Sequence, residues 1–514
     1  MSLQPKSSQS DLPAAEVVEA DVCLIAEGCY PYVSGGVSSW IDWLMRTQSD
    51  LEFSVVAIVS GFERRQRRYS FPPNVRGFSE VVLHRPLALH WSASWVRKPP
   101  RAELADALIA LTSEGGAKEL ARIIELVKGG GLSFSELLNS RLAWDIVCRM
   151  YDTIMPQASF LHFYWAWRAL FGGLFATLKA PLPKALVYHT ISTGYAGMLA
   201  ARAALETGRP AIITEHGIYT NERRIEILTA DWMVDTVEKG LSINDDRIDL
   251  RDVWIRAFDA YARACYDACS AITTLYRDNQ RLQMDLGAKG EKLKVIANGI
   301  EVERFNGLPR ATCDMRPTMA LIGRVVPIKD VKTFISAAAD LRGRIPNLRA
   351  LVLGPTDEDP AYFKECTELA CELGLQETLI FTGNVNLVDY LPQIHVVVLT
   401  SLSEAQPLVL LEAGAAGIPC VTTDVGSCRE ILEGIGEQPA LGPGGMVTHL
   451  VAPKQIADAV CGLLQDELLR RRLGHALCER VRRHYGSDRA RREYSMLYRQ
   501  FRTAPPRPPA ARSG

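Results

Sequence analysis

Eleven short apolar runs, each followed by residues at helical spacing, limit what this chain can fold into more than any other feature. Six lie in the first half ("DVCLIAEG", "FSVVAIVS", "KALVYHT", "PAIITEHG", "SAITTL", "KLKVIANG") and five in the second ("TMALIGRV", "LRALVLGP", "TLIFTGNV", "HVVVLTS", "IPCVTTDVG"). Strands of a parallel sheet are covered on both faces by their crossover helices, so they read as apolar runs rather than as alternating patterns. Between the two series lies "NGIEVERFNGLPRATCDMRPT", punctuated by Pro and Gly in the manner of a linker. The expectation is α/β, two doubly wound domains, with a disordered N-terminus over 1–20, a first domain over 21–312 and a second over 313–485. A C-terminal helix over 486–502 is expected to pack back on the first domain, ahead of a disordered tail over 503–514. The first domain exceeds a minimal doubly wound unit, and the excess falls in residues 90–160 and 219–262, which read as helical insertions.

At 514 residues the chain is too long for one core. Its 58 basic and 59 acidic side chains leave no overall field for nucleic acid or an anionic membrane. No stretch of about 20 apolar residues offers a membrane span. The start "MSLQPKSSQSDLPAAEVVEAD" lacks a signal peptide's basic and apolar regions, so a cytoplasmic chain is expected. Its 12 cysteines include no Cys-x-x-Cys pair, and Cys265 and Cys269, one helical turn apart, read as core filling. Free thiols are expected, with neither disulfides nor structural zinc.

In facing doubly wound domains the loops at the strand C-terminal ends point toward a common cleft, which makes polar residues on those loops candidates for ligand contact. Gly35 and Gly36 open a helix after the first run, where a bare backbone and free N–H groups suit a close ligand. A dinucleotide-binding oxidoreductase would want Gly-x-Gly-x-x-Gly at this place, and that spacing is absent; "GPGGMV" at Gly442 does not restore it. In "ALIGRVVPIKDVKTFISAA", Arg324 follows a strand and Lys329 precedes a helix, two cations suited to a diphosphate. In "SLSEAQPLVLLEAGAAG", Glu404 sits before a helix and Glu412 about two turns in. A carboxylate in such apolar sequence is costly unless hydrogen-bonded, and paired sugar or ribose hydroxyls are suitable donors. The N–H groups near Leu408 and Val409 would meet phosphate or sugar oxygens.

From about residue 21 to 500 the chain resembles the retaining glycosyltransferases of the GT-B fold, family four. The motifs that carry the likeness are Glu404 and Glu412 with seven residues between them, "GRVVPIKD", "VIANGIEVERF" with Asn298 and Gly299, and "AAGIPCVTTDVGSCREIL". "AEGCYPYVSGGVSSWIDWLM" and "TEHGIY" are similar, more narrowly, to the PelF family of Pel exopolysaccharide glycosyltransferases. The resemblance implies two Rossmann-like domains, the first on the acceptor side and the second binding a nucleotide sugar. Arg324 and Lys329 would neutralise the donor diphosphate, Glu412 would hold the ribose hydroxyls, and Glu404 would bind the donor sugar. His216 would touch that sugar beside the reaction centre, whereas His189 reads as a core histidine. Transfer would then retain configuration on one face of the sugar, with no tightly bound cofactor and no metal, the two cations standing in its place.

The implied partners are UDP or a UDP-sugar, a polysaccharide acceptor, and an inner-membrane polymerisation and export complex; nucleic acid is not among them. Glucose, N-acetylglucosamine and N-acetylgalactosamine all remain open as the donor sugar. A hydrolase or epimerase on the same fold, a nucleotide-sugar-binding assembly or regulatory subunit, and a GT-B family-four transferase acting on another acceptor are the competing readings. Two basic stretches, Glu63 to Ser70 and Arg470 to Arg502, read either as solvated surface or as docking sites for acidic lipid or a membrane partner.

Overall fold

The computed structural model describes residues 19–63, 65–84, 101–156, 159–228, 249–434 and 440–506. Seven strands make the first sheet: β1 Ala20–Glu27, β2 Phe53–Val59, β3 Val75–Val82, β4 Ala185–Thr190, β5 Ala211–Glu215, β6 Ala271–Thr274 and β7 Leu293–Val295. Six make the second: β8 Thr318–Ile322, β9 Arg349–Leu353, β10 Leu379–Gly383, β11 Val396–Leu399, β12 Cys420–Thr423 and β13 Gly445–Thr448. The orders are β3-β2-β1-β4-β5-β6-β7 and β10-β9-β8-β11-β12-β13. β1 pairs in parallel with β2 and β4, and β8 with β9 and β11. Each sheet therefore reverses its winding once, between β1 and β4 and between β8 and β11. Loops leaving the C-terminal ends of strands beside such a reversal are splayed apart, which is where doubly wound sheets bind ligands.

All eleven apolar runs form strands. The two strands that the apolar-run criterion misses, β3 and β13, lie at sheet edges. β3, "VRGFSEVV", buries only its last two residues, and β13 has four residues of which two are buried. An edge strand is covered on fewer sides, so it need not be apolar throughout.

The expected insertions are helical where they are described. Arg101–Ser113, Ala117–Gly129, Phe134–Asn139, Arg141–Ile154 and Phe160–Lys179 precede β4, and Tyr219–Leu228 and Leu250–Ala268 lie between β5 and β6. In Ala117–Gly129 the buried residues are Leu120, Ile123, Ile124 and Val127, the spacing of one helical face. Capping boxes set two of the starts, Ser133 with Glu136 and Asp249 with Asp252. These helices bury their faces in one cluster with Cys23, Ile25 and Val56 of the sheet. The expected bounds at 85–100 and 229–248 lie outside the described residues, as do the expected terminal segments before residue 19 and after 506.

The chain forms two compact units, one of residues 1–273, 283–293 and 495–514 and the other of residues 274–282 and 294–494. The division near 293 precedes the linker expected near 313, because "NGIEVERF" packs into the core of the second unit. Ile300, Val302 and Phe305 are buried in a cluster with Leu410 and Leu477, and Ile300 bridges Gly486. A Cβ on Gly299 would lie 2.6 Å from the Gly486 carbonyl, so this approach needs glycine. The C-terminal helix Ser487–Arg502 ends in the first unit, where Tyr498 bonds His189 and Arg502 pairs with Asp21 at 3.2 Å.

All twelve cysteines carry free thiols, and Cys265 and Cys269 are fully buried. Part of the basic sequence is structural. Arg480 is buried and donates to the carbonyls of Leu432 at 2.8 Å and Gly442 at 2.6 Å. Arg470 is buried too and donates to Leu463 at 3.1 Å. These two are thereby removed from any docking surface. In the other stretch, Arg67 lies over the rings of Phe71 and Phe78.

Candidate functional site

In the second unit the winding reverses between β8 and β11, and the loops after these strands carry Arg324, Lys329 and Glu404. Lys329 closes a single 3-10 turn, Pro327–Lys329, and its Nζ donates to Glu404 Oε1. Ser401, buried two residues past β11, donates its hydroxyl to the same oxygen at 2.8 Å. Thr400 Oγ1 donates to the Lys329 carbonyl at 2.8 Å, and Leu402 N–H to that of Ile328 at 2.9 Å. Both loops are thus stitched together below the Lys329–Glu404 pair, whose side chains are 20% and 14% exposed.

A third loop braces Glu404 from the other side. Gly426 has φ +52°, and a Cβ there would fall 2.1 Å from the Glu404 carbonyl oxygen. Ser427 N–H donates to the Ala405 carbonyl at 2.8 Å. Gln406 is buried and accepts the Asn298 N–H at 2.7 Å. "NGI" and "TDVGS" therefore serve to hold the loop that presents Glu404.

Arg324 is not bonded to that pair. It is bound to Glu358, and the two side chains are 52% and 49% exposed. The helix Val331–Arg344 behind Lys329 begins at Asp330, a left-handed residue with φ 45° whose own carboxylate accepts from Thr333 N–H. The helix start beside the two cations is therefore already capped by an anion, which sequence reading did not anticipate.

The helix Leu408–Ala415 starts at Pro407 without a side-chain cap, so Leu408 and Val409 head an uncapped first turn. Glu412 falls one turn into it, rather than two. It is partly buried, and its pKa is raised, chiefly by desolvation and against the pull of Arg304. Among the described residues no side chain or backbone N–H donates to its carboxylate. Glu404 and Glu412 therefore differ sharply: the chain itself engages the first and leaves the second open.

In the first unit, Gly35 and Gly36 stand at an uncapped start of the helix Gly36–Thr47, and a Cβ on either would meet nothing within 4 Å. Gly35 has extended backbone, so neither conformation nor crowding within the chain demands glycine there. His189 is a satisfied core histidine, with Nδ1 2.6 Å from Tyr498 Oη and Nε2 2.8 Å from Thr214 Oγ1; burial lowers its pKa to about 3. His216 follows β5 edge-on to Trp40, ring centroids 4.6 Å apart. Both its ring nitrogens are sealed from solvent and have no hydrogen-bond partner among the described residues, and burial lowers its pKa to about 4. It is a neutral imidazole with both nitrogens unspent.

Glu27 and Glu215, each the last residue of a largely apolar strand, belong to no spaced motif that the sequence displays. Glu215 is fully buried and accepts from Tyr266 Oη at 2.6 Å and Gln283 Nε2 at 2.9 Å. Glu27 accepts from Ala196 N–H at 2.9 Å and Tyr219 Oη at 3.1 Å. Among the described residues no group of three or more His, Cys, Asp and Glu side chains is placed to hold a metal ion.

Residues 20–291, more than half of the chain, match the family model described as a domain of unknown function, DUF3492. The chain belongs to the DUF3492 family. Residues 311–478 of this family member match the model for glycosyl transferases group 1, which covers β8 to β13 and every site residue of the second unit. A D-inositol 3-phosphate glycosyltransferase of Corynebacterium urealyticum is 29% identical over 237 residues, 43% of this chain and 54% of the relative. The chain spans about half the length of the curated relatives it matches. Two solved structures share its fold. Sucrose-phosphate synthase from Thermosynechococcus elongatus has a TM-score of 0.56 at 15% identity, over 93% of this chain and 98% of that one. HepE of Anabaena, solved in complex with UDP, has a TM-score of 0.56 at 12% identity, over 93% and 100%. The architecture is that of GT-B glycosyltransferases, two parallel-sheet Rossmann-like units.

Proposed function

We propose that this DUF3492-family chain is a retaining glycosyltransferase that takes a UDP-sugar donor and extends an exopolysaccharide of the Pel type. The observation that carries the reading is the contrast at the second unit's winding reversal. Lys329 and Ser401 both hold Glu404 Oε1, while Glu412 has no partner of its own among the described residues. A nucleotide sugar supplies what is missing, since an ionised carboxylate accepts two hydrogen bonds from adjacent ribose hydroxyls. The first-turn N–H groups of Leu408 and Val409 would meet phosphate or sugar oxygens.

The reaction needs charge placed where charge develops. As the glycosidic bond to the diphosphate breaks, negative charge grows on the departing oxygens, and Lys329 and Arg324 would stabilise it. Arg324 reaches them by exchanging Glu358 for phosphate, which costs little because exposed ion pairs contribute about 0 to 1 kcal/mol. Glu404 keeps one oxygen for Lys329 and Ser401 and offers the other to the donor sugar. With one carboxylate ion-paired and the other on the ribose, no double-displacement nucleophile is assigned. The departing phosphate would deprotonate the acceptor hydroxyl on the same face. His216, neutral and with two unspent nitrogens, would bond a sugar hydroxyl once the side chains that seal its ring move aside, and Gly35 and Gly36 leave room for a ligand beside the chain.

The Pel assignment is supported by "AEGCYPYVSGGVSSWIDWLM" and "TEHGIY", and it puts the enzyme at the cytoplasmic face of an inner-membrane polymerisation and export complex. No helix among the described residues is long and apolar enough to cross a membrane. The names of the curated relatives favour a second reading for the acceptor, a phosphorylated polyol. Calorimetry on the full chain tests the donor site. UDP should bind in the micromolar range without added metal and more tightly than UMP, because the second phosphate meets Lys329 and Arg324. Equal affinities, or an absolute need for magnesium, would count against it. UDP-sugar turnover with and without a saccharide acceptor separates transfer from hydrolysis.

A further inference from the structure

The first unit contains a cavity of about 450 Å³ that the group 1 domain does not line. It opens at the C-terminal ends of β1, β2 and β3 and is walled by the helices Tyr219–Leu228 and Leu250–Ala268. Its volume lies within the range of about 300 to 1,000 Å³ usual for small-molecule sites. Trp254, Phe258, Tyr219 and Tyr195 form a continuous aromatic wall, with neighbouring ring centroids 5.9 to 6.2 Å apart.

The charges in this cavity are already opposed. Arg223 Nη1 pairs with Glu226 Oε2 at 2.5 Å, its Nε donates to Tyr219 Oη at 3.0 Å, and its guanidinium lies over the Tyr219 ring. Tyr219 passes the connection to Glu27, so Arg223 stands between two carboxylates. Arg65 is engaged by the Gly61 carbonyl at 2.8 Å. Burial lowers the pKa of His84, which disfavours its cationic form. Among the described lining residues two guanidinium groups thus face two carboxylates.

A phosphate monoester carries about −1.5 to −2 charge at neutral pH and calls for cations free of carboxylate neighbours. Glu226 would repel it, and Arg223 is already engaged by Glu226 and Tyr219. A pyranose has the opposite requirements. Its C–H faces pack on aromatic rings, and its hydroxyls both donate and accept, which suits a cavity of carboxylate oxygens, remaining guanidinium N–H groups and aromatic walls. On the transferase reading above, we infer that this cavity holds a neutral sugar ring of the acceptor and rejects a phosphorylated polyol.

The test is calorimetric titration of the full chain with maltotriose and chitotriose as neutral probes, and with inositol and D-inositol 3-phosphate as the comparison, reading UDP affinity on the same samples. At least one neutral trisaccharide should bind, and D-inositol 3-phosphate should bind no better than inositol. Trp254→Ala should weaken the trisaccharide tenfold or more and leave UDP within twofold. Glu226→Gln, a change at an exposed side chain, frees Arg223 from one carboxylate and should raise affinity for D-inositol 3-phosphate severalfold. The inference is overturned if neither trisaccharide binds, if Trp254→Ala leaves binding unchanged, if the unaltered chain prefers the phosphorylated polyol, or if Glu226→Gln gains nothing for it. Absent UDP binding in a chain that still takes the trisaccharide would fault the donor site and leave the cavity standing.

Discussion

Glu215 in the first unit and Glu412 in the second are both acidic residues set in apolar sequence, and the chain treats them in opposite ways. Glu215 is sealed and receives a tyrosine hydroxyl and a glutamine amide. Glu412 is partly buried in the short helix Leu408–Ala415 and receives nothing from the described residues. Burial raises the pKa of both, so both cost the fold something as anions. The difference lies in who supplies the donors. A carboxylate completed by its own chain is a device of the fold, whereas one left incomplete keeps a cost that water or a ligand can relieve. Glu404 stands between them, with one oxygen taken by Lys329 and Ser401.

The largest effect should come from breaking the closed case. Glu215→Ala strands the Tyr266 hydroxyl and the Gln283 amide in the core, at about 1 to 3 kcal/mol each. We expect a loss on the order of 4 kcal/mol in the first unit's denaturant midpoint analysis, with UDP affinity unchanged where the chain stays folded. A variant as stable as the parent, or one that loses UDP selectively, would erase the distinction between the two glutamates.

The intermediate case is tested through Lys329. If its charge stabilises a leaving diphosphate, the loss must be greater in the transition state than in the ground state. Lys329→Ala should lower turnover on the order of a hundredfold, about 2.7 kcal/mol, the low end for removing a preorganised charge partner. Lys329→Arg should recover part of this, since the charge returns without the compact geometry. Donor affinity by calorimetry should fall much less than the initial rate of transfer. Normal turnover in Lys329→Ala would leave the Lys329–Glu404 pair as another closed device of the fold.

How much of this was legible in the sequence obeys the same division. Strands covered on both faces announce themselves as apolar runs, so β1, β2 and β8 could be read directly, while the edge strands β3 and β13 could not. Lys329, Glu404 and Glu412 were legible because the loop after β8 and the loop and helix after β11 carry them in local motifs of fixed spacing. Asp330 capping the helix that was to hold an anion was not, since a left-handed cap is a matter of backbone conformation. Ser401 was passed over because a serine just past a strand has no special composition until its hydroxyl is seen 2.8 Å from Glu404. The aromatic cavity was invisible for a further reason: Glu27, Arg65, Arg223 and Trp254 come from segments spread over more than 200 residues and meet only in the fold.

The smallest effect is the most discriminating, because its two halves run in opposite directions. Glu412→Gln keeps the shape of the side chain and removes its charge. UDP should then weaken by roughly 2 kcal/mol, the contribution of charge-assisted hydrogen bonds to the ribose. The ligand-free chain should instead become slightly more stable at neutral pH. A carboxyl whose folded pKa is raised binds its proton more tightly folded than unfolded, so stability falls as pH rises from the unfolded toward the folded value. At neutral pH that cost is in place, and glutamine removes it. We expect a rise in Tm of no more than about 2 to 4 °C, what 1 kcal/mol gives in a domain of this size. The rise should vanish below the unfolded pKa, where the parent carboxyl is protonated in both states. Thermal melts of parent and Glu412→Gln across acid to neutral pH, with and without UDP, measure both halves together. A variant that loses UDP and stability alike would mean that Glu412 has a partner within the fold after all, and the contrast with Glu215 would collapse.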